Sequence, residues 1–163
     1  GVMFSEKGEG LASSLAAFPV LPAKILLYSI FAVTIANGIA VYRTQRKPFT
    51  YMFSIFAFMF FISSVIAIIS FISLYFYQIP THHCPFDILQ KEYYYVGYPI
   101  YAFLFTGSFF GIIVGIIEPF KKIASMSKIV LNAQRRWSLY AITGLVIFTL
   151  ISSLPMILLP FKM

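Results

Sequence analysis

Acidic side chains are scarce in this chain, with five Asp and Glu against twelve Lys and Arg in 163 residues. Charged residues of both signs make up only 10% of the sequence, whereas soluble domains carry about a quarter. The one cysteine rules out a disulfide within the chain, and only two histidines are present. These shortages exclude an ordinary soluble domain and a small disulfide-stabilised one.

Sequence motifs for catalysis and nucleotide binding are also missing. No G-x-S-x-G nucleophile elbow occurs, and neither G-x-x-x-x-G-K nor G-x-G-x-x-G is present. Both histidines lie in one predicted loop with few acidic residues to orient them, which argues against hydrolytic catalysis. The sequence therefore favours a non-enzymatic protein and leaves an enzymatic role open.

Long apolar runs dominate the rest, with 60% apolar and 19% aromatic residues and a mean hydropathy of +0.89. Four runs, at about 25–42, 51–77, 97–117 and 138–159, are close to or above the ~20 residues that a membrane-crossing helix needs. Pro155 and Pro160 are expected to interrupt the fourth run. No repeat or linker divides the chain. The sequence predicts one all-α domain over residues 1–163, a bundle of four transmembrane helices in a lipid bilayer.

Basic residues cluster in the first and third connections, which hold eight of the twelve Lys and Arg and one acid, Glu118. Cytoplasmic connections carry such an excess, so both termini and the loop at residues 78–96 are predicted to lie on the non-cytoplasmic side. The expected location is a bacterial inner membrane or a similar plasma membrane. Because this placement explains the net charge of +7, nucleic acid is not an expected partner.

Polar groups inside the predicted spans are few. No span carries His, Asp or a central Lys or Arg, which argues against a proton-coupled transporter, a voltage sensor and a bis-histidine haem cytochrome. Glu118 is expected to end the third span and to pair with a nearby lysine. Asn37 is expected to hydrogen-bond to a neighbouring helix, because an unpaired amide in hydrocarbon is costly.

The chemically richest segment is the predicted outer loop around Thr81–Asp87, which holds both histidines and the cysteine. Imidazole and thiolate together are the donors that zinc and copper prefer. Prolines at 80 and 85 bracket the segment and favour a turn that would bring the donors together. The sequence predicts a copper or zinc site, with outer hydrogen-bonding help from Glu92 and Tyr93. The predicted metal ligands are His82, His83, Cys84 and Asp87.

Two other interpretations of this segment stay open. The histidines could simply end the second span, with Cys84-Pro85-Phe86 forming a tight turn. Alternatively, Cys84 could serve a haem, a quinone or thiol redox chemistry. The Cys-Pro pair resembles the haem-regulatory motif, whereas four-span thiol oxidoreductases use a C-x-x-C pair that this chain lacks.

The leading functional hypothesis is therefore a membrane protein with a metal-binding outer loop, acting in metal handling or transport. A role as a small subunit of a larger membrane complex fits the same features. The alternative hypothesis, from another class, is a membrane redox protein associated with haem or quinone, or thiol-based, that uses Cys84.

Glycines recur every four residues on the third span, at Gly107, Gly111 and Gly115. This spacing forms a smooth stripe along which another helix can approach closely. The approaching helix is expected within the same chain, although a second copy in a homo-oligomer stays open. On the second span, the small residues expected opposite the stripe are Ser63, Ala67 and Ser70.

Overall fold

The computed structural model describes residues 17–78 and 84–158, together with residues 10, 14 and 15. These residues are 87% helical and contain no strand. Four helices are long and apolar enough to cross a membrane, which fits a multi-pass membrane protein and confirms the predicted all-α class. They are helix 1 (Val20–Thr44), helix 2 (Lys47–Tyr77), helix 3 (Gly97–Lys122, with a short 3-10 turn from Glu118) and helix 4 (Ser127–Leu158).

Helix 4 differs most from its predicted bounds, because it begins at Ser127 rather than near residue 138. Its 32 residues make it about 48 Å long, against a hydrocarbon core of about 30 Å. The basic residues assigned to a connection, from Lys128 to Arg136, therefore lie on a helical extension. The interruption expected at Pro155 is wrong, since the helix continues through this buried proline to Leu158. Pro160 lies outside the described residues.

Helix 2 is continuous in direction but changes its winding near its end. An α-helical part, Lys47–Ala67, leads into a π-helical turn, Ile68–Ile72, and then into α-helix again at Ser73–Tyr77. The Ser73 hydroxyl donates to the carbonyl of Ile68 at 2.6 Å, which spans the widened turn. Gln78, with a left-handed φ of 56°, ends the helix.

Each helix packs against its neighbours in sequence, and helix 4 also packs against helix 1. The larger buried cluster includes Phe60, whose ring meets that of Phe148 edge-on at 5.8 Å. The smaller cluster, nearer the basic connections, contains Val41, Phe53 and Val114. Many large apolar side chains point outward instead, as expected of a surface that faces lipid.

Two glycines of helix 3 lie against helix 2. A Cβ atom added at Gly111 would stand 2.6 Å from the Ala57 Cβ, and one added at Gly115 would overlap the Ser54 side chain. The Ser54 hydroxyl also donates to the Ile112 carbonyl at 2.7 Å. The residues opposite these glycines are therefore Ser54 and Ala57. The expected set at 63, 67 and 70 lies too far along helix 2, because antiparallel helices in this register bring the early part of one against the late part of the other.

The third glycine of the stripe lies against helix 4. A Cβ at Gly107 would stand 2.9 Å from the Leu145 backbone nitrogen, and one at Gly144 would stand 3.0 Å from the Gly107 Cα. Helix 3 thus uses one stripe to approach two helices of the same chain. Gly144 was not identified from the sequence, although it is the glycine of helix 4 that makes this crossing close.

The Asn37 amide bonds within helix 1, whereas Thr34 is one of the polar side chains that link helices 1 and 2. The Thr34 hydroxyl lies 2.7 Å from the carbonyl of Ile30 and 3.2 Å from that of Phe56 on helix 2. The Asn37 amide donates to Val33 of its own helix at 2.8 Å. The cost of a buried amide is therefore met within helix 1 rather than across the interface.

We expect Gly111→Leu to lower the free energy of unfolding by about 1–3 kcal/mol, because the larger side chain would force helices 2 and 3 apart. Thermal unfolding in detergent would measure the loss. Ala102→Leu is a matched control, since Ala102 lies on an exposed face of helix 3. Equal stability of the two variants would show that the contact at Gly111 is unimportant.

Candidate functional site

The described part of the loop, residues 84–96, folds into two short 3-10 turns over the ends of helices 2 and 3. The turns are Asp87–Leu89 and Lys91–Tyr93. Ile88, in the first turn, is fully buried, and a Cβ at Gly97 would stand 2.9 Å from its backbone. The loop is thus anchored in the core where helix 3 begins, and a larger residue than glycine at position 97 would displace it.

Two tyrosines hold the start of this loop through its backbone. The Tyr77 hydroxyl, at the end of helix 2, donates to the Cys84 carbonyl. The Tyr101 hydroxyl, from helix 3, donates to the next carbonyl, that of Pro85, at 2.5 Å. The ring of Tyr77 also packs on Tyr93, with 4.7 Å between centroids. The Cys-Pro turn is therefore held between helices 2 and 3 by hydrogen bonds to its backbone carbonyls. These two hydrogen bonds do not use the Cys84 side chain.

The predicted metal ligands are only partly within the described residues. Cys84 is partly buried and forms no disulfide, and Asp87 accepts a hydrogen bond from Gln90 at 3.1 Å. His82 and His83 lie outside the described residues. Among residues 17–78 and 84–158, no group of three or more His, Cys, Asp or Glu is arranged to hold a metal ion. The four-ligand site therefore stays a prediction.

The two residues expected to support the metal ligands have different surroundings. Glu92 is exposed on the second 3-10 turn. Tyr93 is partly buried and packs against the main apolar cluster, so its ring has a clear structural role. The support of a metal site by Glu92 and Tyr93 therefore stays a prediction.

A second polar site, at the opposite end of the helices, surrounds the buried carboxylate of Glu118, which is 5% exposed. The Lys121 ammonium lies 3.0 Å from one carboxylate oxygen, so the expected lysine pairing is present. Gln134 of helix 4, fully buried, donates to the same oxygen at 2.6 Å and to the Val114 carbonyl at 3.2 Å. The carboxylate therefore links helices 3 and 4.

Helix 1 joins the same network through Gln45, its C-terminal capping residue. Its backbone adopts a left-handed φ of 47°, and its carbonyl accepts a hydrogen bond from the Lys121 ammonium at 3.0 Å. Its side-chain amide donates to the Leu131 carbonyl of helix 4 at 2.6 Å. Sequence reasoning missed both glutamines, 45 and 134, and the signal available was the position of each as an uncharged amide among basic residues.

A cleft of about 290 Å³ opens beside this network, between the start of helix 2 and the end of helix 3. It is lined by three lysines, a tyrosine, a proline and the paired carboxylate: Lys47, Lys121, Lys122, Tyr51, Pro119 and Glu118. Its basic lining suits an anion. No known protein family, curated protein or solved structure matches this chain, so its own residues carry the functional argument.

We expect Glu118→Ala to lower the free energy of unfolding by about 3 kcal/mol, because it removes the carboxylate that pairs with Lys121 and leaves Lys121 and the buried Gln134 amide with one backbone carbonyl each as acceptor. The measurement is thermal unfolding in detergent. Glu92→Ala, which removes an exposed carboxylate of the loop, is the control and should change stability little. A Glu118→Ala protein as stable as this control would mean that the network does not stabilise the fold.

Proposed function

We propose that the four helices form a bundle across a plasma membrane, such as a bacterial inner membrane, with the basic connections in the cytoplasm. Eight of the twelve Lys and Arg lie in these connections or on the helix ends beside them, and the one acid there, Glu118, is already neutralised by Lys121. An excess of positive charge next to the spans favours cytoplasmic placement. Both termini and the loop at residues 78–96 then lie outside.

The outer loop, we further propose, binds a copper or zinc ion with His82, His83, Cys84 and Asp87. The observation that carries this proposal is the fixed Cys-Pro turn, whose successive carbonyls accept hydrogen bonds from Tyr77 and Tyr101. A turn that is already ordered loses less conformational entropy when its side chains bind an ion. Zinc and copper also match the imidazole and thiolate donors.

The biological task that follows is the handling or transport of metal ions at the outer face of the plasma membrane. Metal binding as a subunit of a larger membrane complex fits the same features. In a multi-pass protein of this size, an ion held at one loop could be passed to a partner or to a transport path. The proposal assigns no catalytic step to the chain. Its sources of support are the donor chemistry and the anchored turn.

Topology is tested by labelling Cys84, the one cysteine, in intact cells with a membrane-impermeant thiol reagent. We expect labelling from outside. In a Cys84→Ser background, Glu92→Cys provides an exposed reporter on the same loop, and Ser125→Cys provides one on the opposite connection. Labelling of Ser125→Cys, with protection of Glu92→Cys until the membrane is permeabilised, would reverse the orientation.

Metal binding is tested by isothermal titration of the purified protein with Zn²⁺, and with Cu(I) under reducing conditions. We expect stoichiometric binding that weakens from pH ~8 to ~5.5, because the imidazoles and the thiol must lose protons to bind. Cys84→Ser should weaken binding more than Asp87→Asn, since thiolate is the softer ligand.

The decisive variant in that titration is His82→Ala/His83→Ala, which should lose most of the affinity. Equal binding by this variant and the parent, or no binding by either, would overturn the metal proposal. An optical spectrum of the purified protein separates the redox alternative, because a Soret band would assign a haem to the chain instead.

A further inference from the structure

We propose that the basic cleft between helices 2 and 3 binds the phosphate of an anionic phospholipid headgroup. The cleft holds about 290 Å³, enough for a phosphate group with part of a glycerol, and lies at the opposite end of the helices from the Cys-Pro turn. It therefore neither uses the proposed metal ligands nor depends on them.

The charges of the cleft favour an anion. Lys121 forms an ion pair with Glu118 at 3.0 Å, so these two residues add no net charge to the cleft. The other two lysines, Lys47 and Lys122, are exposed and have no acidic partner among the described residues. The cleft thus presents two positive charges that no described carboxylate balances, and phosphate is the ligand that such a pair would attract.

The start of helix 2 adds to this preference. Lys47 is the first residue of the helix, whose first turn contains no acidic residue and whose capping residue, Arg46, makes no side-chain cap. The positive end of the helix dipole therefore adds to the two lysines. Tyr51, one turn further along, also lines the cleft, and its hydroxyl is a suitable donor to a phosphate oxygen.

The surroundings of the cleft favour a lipid over a soluble phosphate. Ile55 lies one turn beyond Tyr51 on the same helix and is 58% exposed, and Ile116 of helix 3 is 61% exposed. By helical spacing, Ile55 lies about one turn from Tyr51 and Ile116 about one turn from Pro119, so an acyl chain that follows its headgroup from the cleft meets apolar surface. A basic pocket at the end of membrane helices with apolar surface beside it is a typical headgroup site.

The test is native mass spectrometry of the delipidated full chain, titrated with phosphatidylglycerol and with phosphatidylcholine. We expect the parent to bind phosphatidylglycerol at least about tenfold more tightly. Lys47→Gln/Lys122→Gln should lose this preference, and Tyr51→Phe should reduce it. The matched control, Lys128→Gln/Arg43→Gln, removes the same charge from exposed positions outside the cleft and should keep the preference.

Thermal unfolding of each variant without lipid checks that the fold is intact, and we expect little change because the substituted lysines are exposed. Equal loss of preference in the cleft variant and the control would overturn the proposal in favour of general charge attraction, and no loss in the cleft variant would also overturn it. Inorganic phosphate and glycerol phosphate are added as competitors. Displacement of the lipid by millimolar inorganic phosphate alone would contradict the assignment to a lipid.

Discussion

The buried carboxylate of Glu118 is the constraint on which one end of the molecule depends. A carboxylate removed from water is costly unless it is paired and hydrogen-bonded. Here it receives the Lys121 ammonium and the Gln134 amide, and the same ammonium reaches the Gln45 carbonyl. Helices 1, 3 and 4 are thereby joined at one level, although their residues are far apart in sequence. This network also leaves the neighbouring lysines available to an anion.

The middle of the molecule depends on small residues rather than on polar ones. Gly111 and Gly115 let helix 3 approach helix 2, and Gly107 with Gly144 lets it approach helix 4. In a membrane, where lipid is as apolar as the side chains, such close packing provides much of the association between helices. At the end of the bundle opposite Glu118, the hydroxyls of Tyr77 and Tyr101 hold the Cys-Pro turn through hydrogen bonds to its backbone.

Hydropathy predicted the four helices, because membrane helices are long apolar runs and their signal is local. It missed the start of helix 4, since the segment from Lys128 to Arg136 is helical without being apolar. Reasoning from the helix-breaking tendency of proline also misjudged Pro155, which removes one backbone donor but does not stop a helix whose neighbours support it. The glycine stripe could be recognised from its four-residue spacing. Its partners, Ser54 and Ala57, could not, because the sequence of a helix does not specify its register against a neighbouring helix.

In the candidate metal loop, too, features of neighbouring residues could be predicted, whereas contacts between residues far apart in sequence could not. Donor types around Cys84 can be recognised from the sequence, whereas the hydrogen bonds that fix its backbone come from tyrosines on two different helices. The most direct test of the metal proposal is X-ray absorption at the zinc edge of the zinc-loaded protein. The metal proposal predicts one sulfur ligand at about 2.3 Å together with nitrogen and oxygen ligands at about 2.0–2.2 Å. A spectrum fitted by oxygen and nitrogen alone, without sulfur, would contradict it.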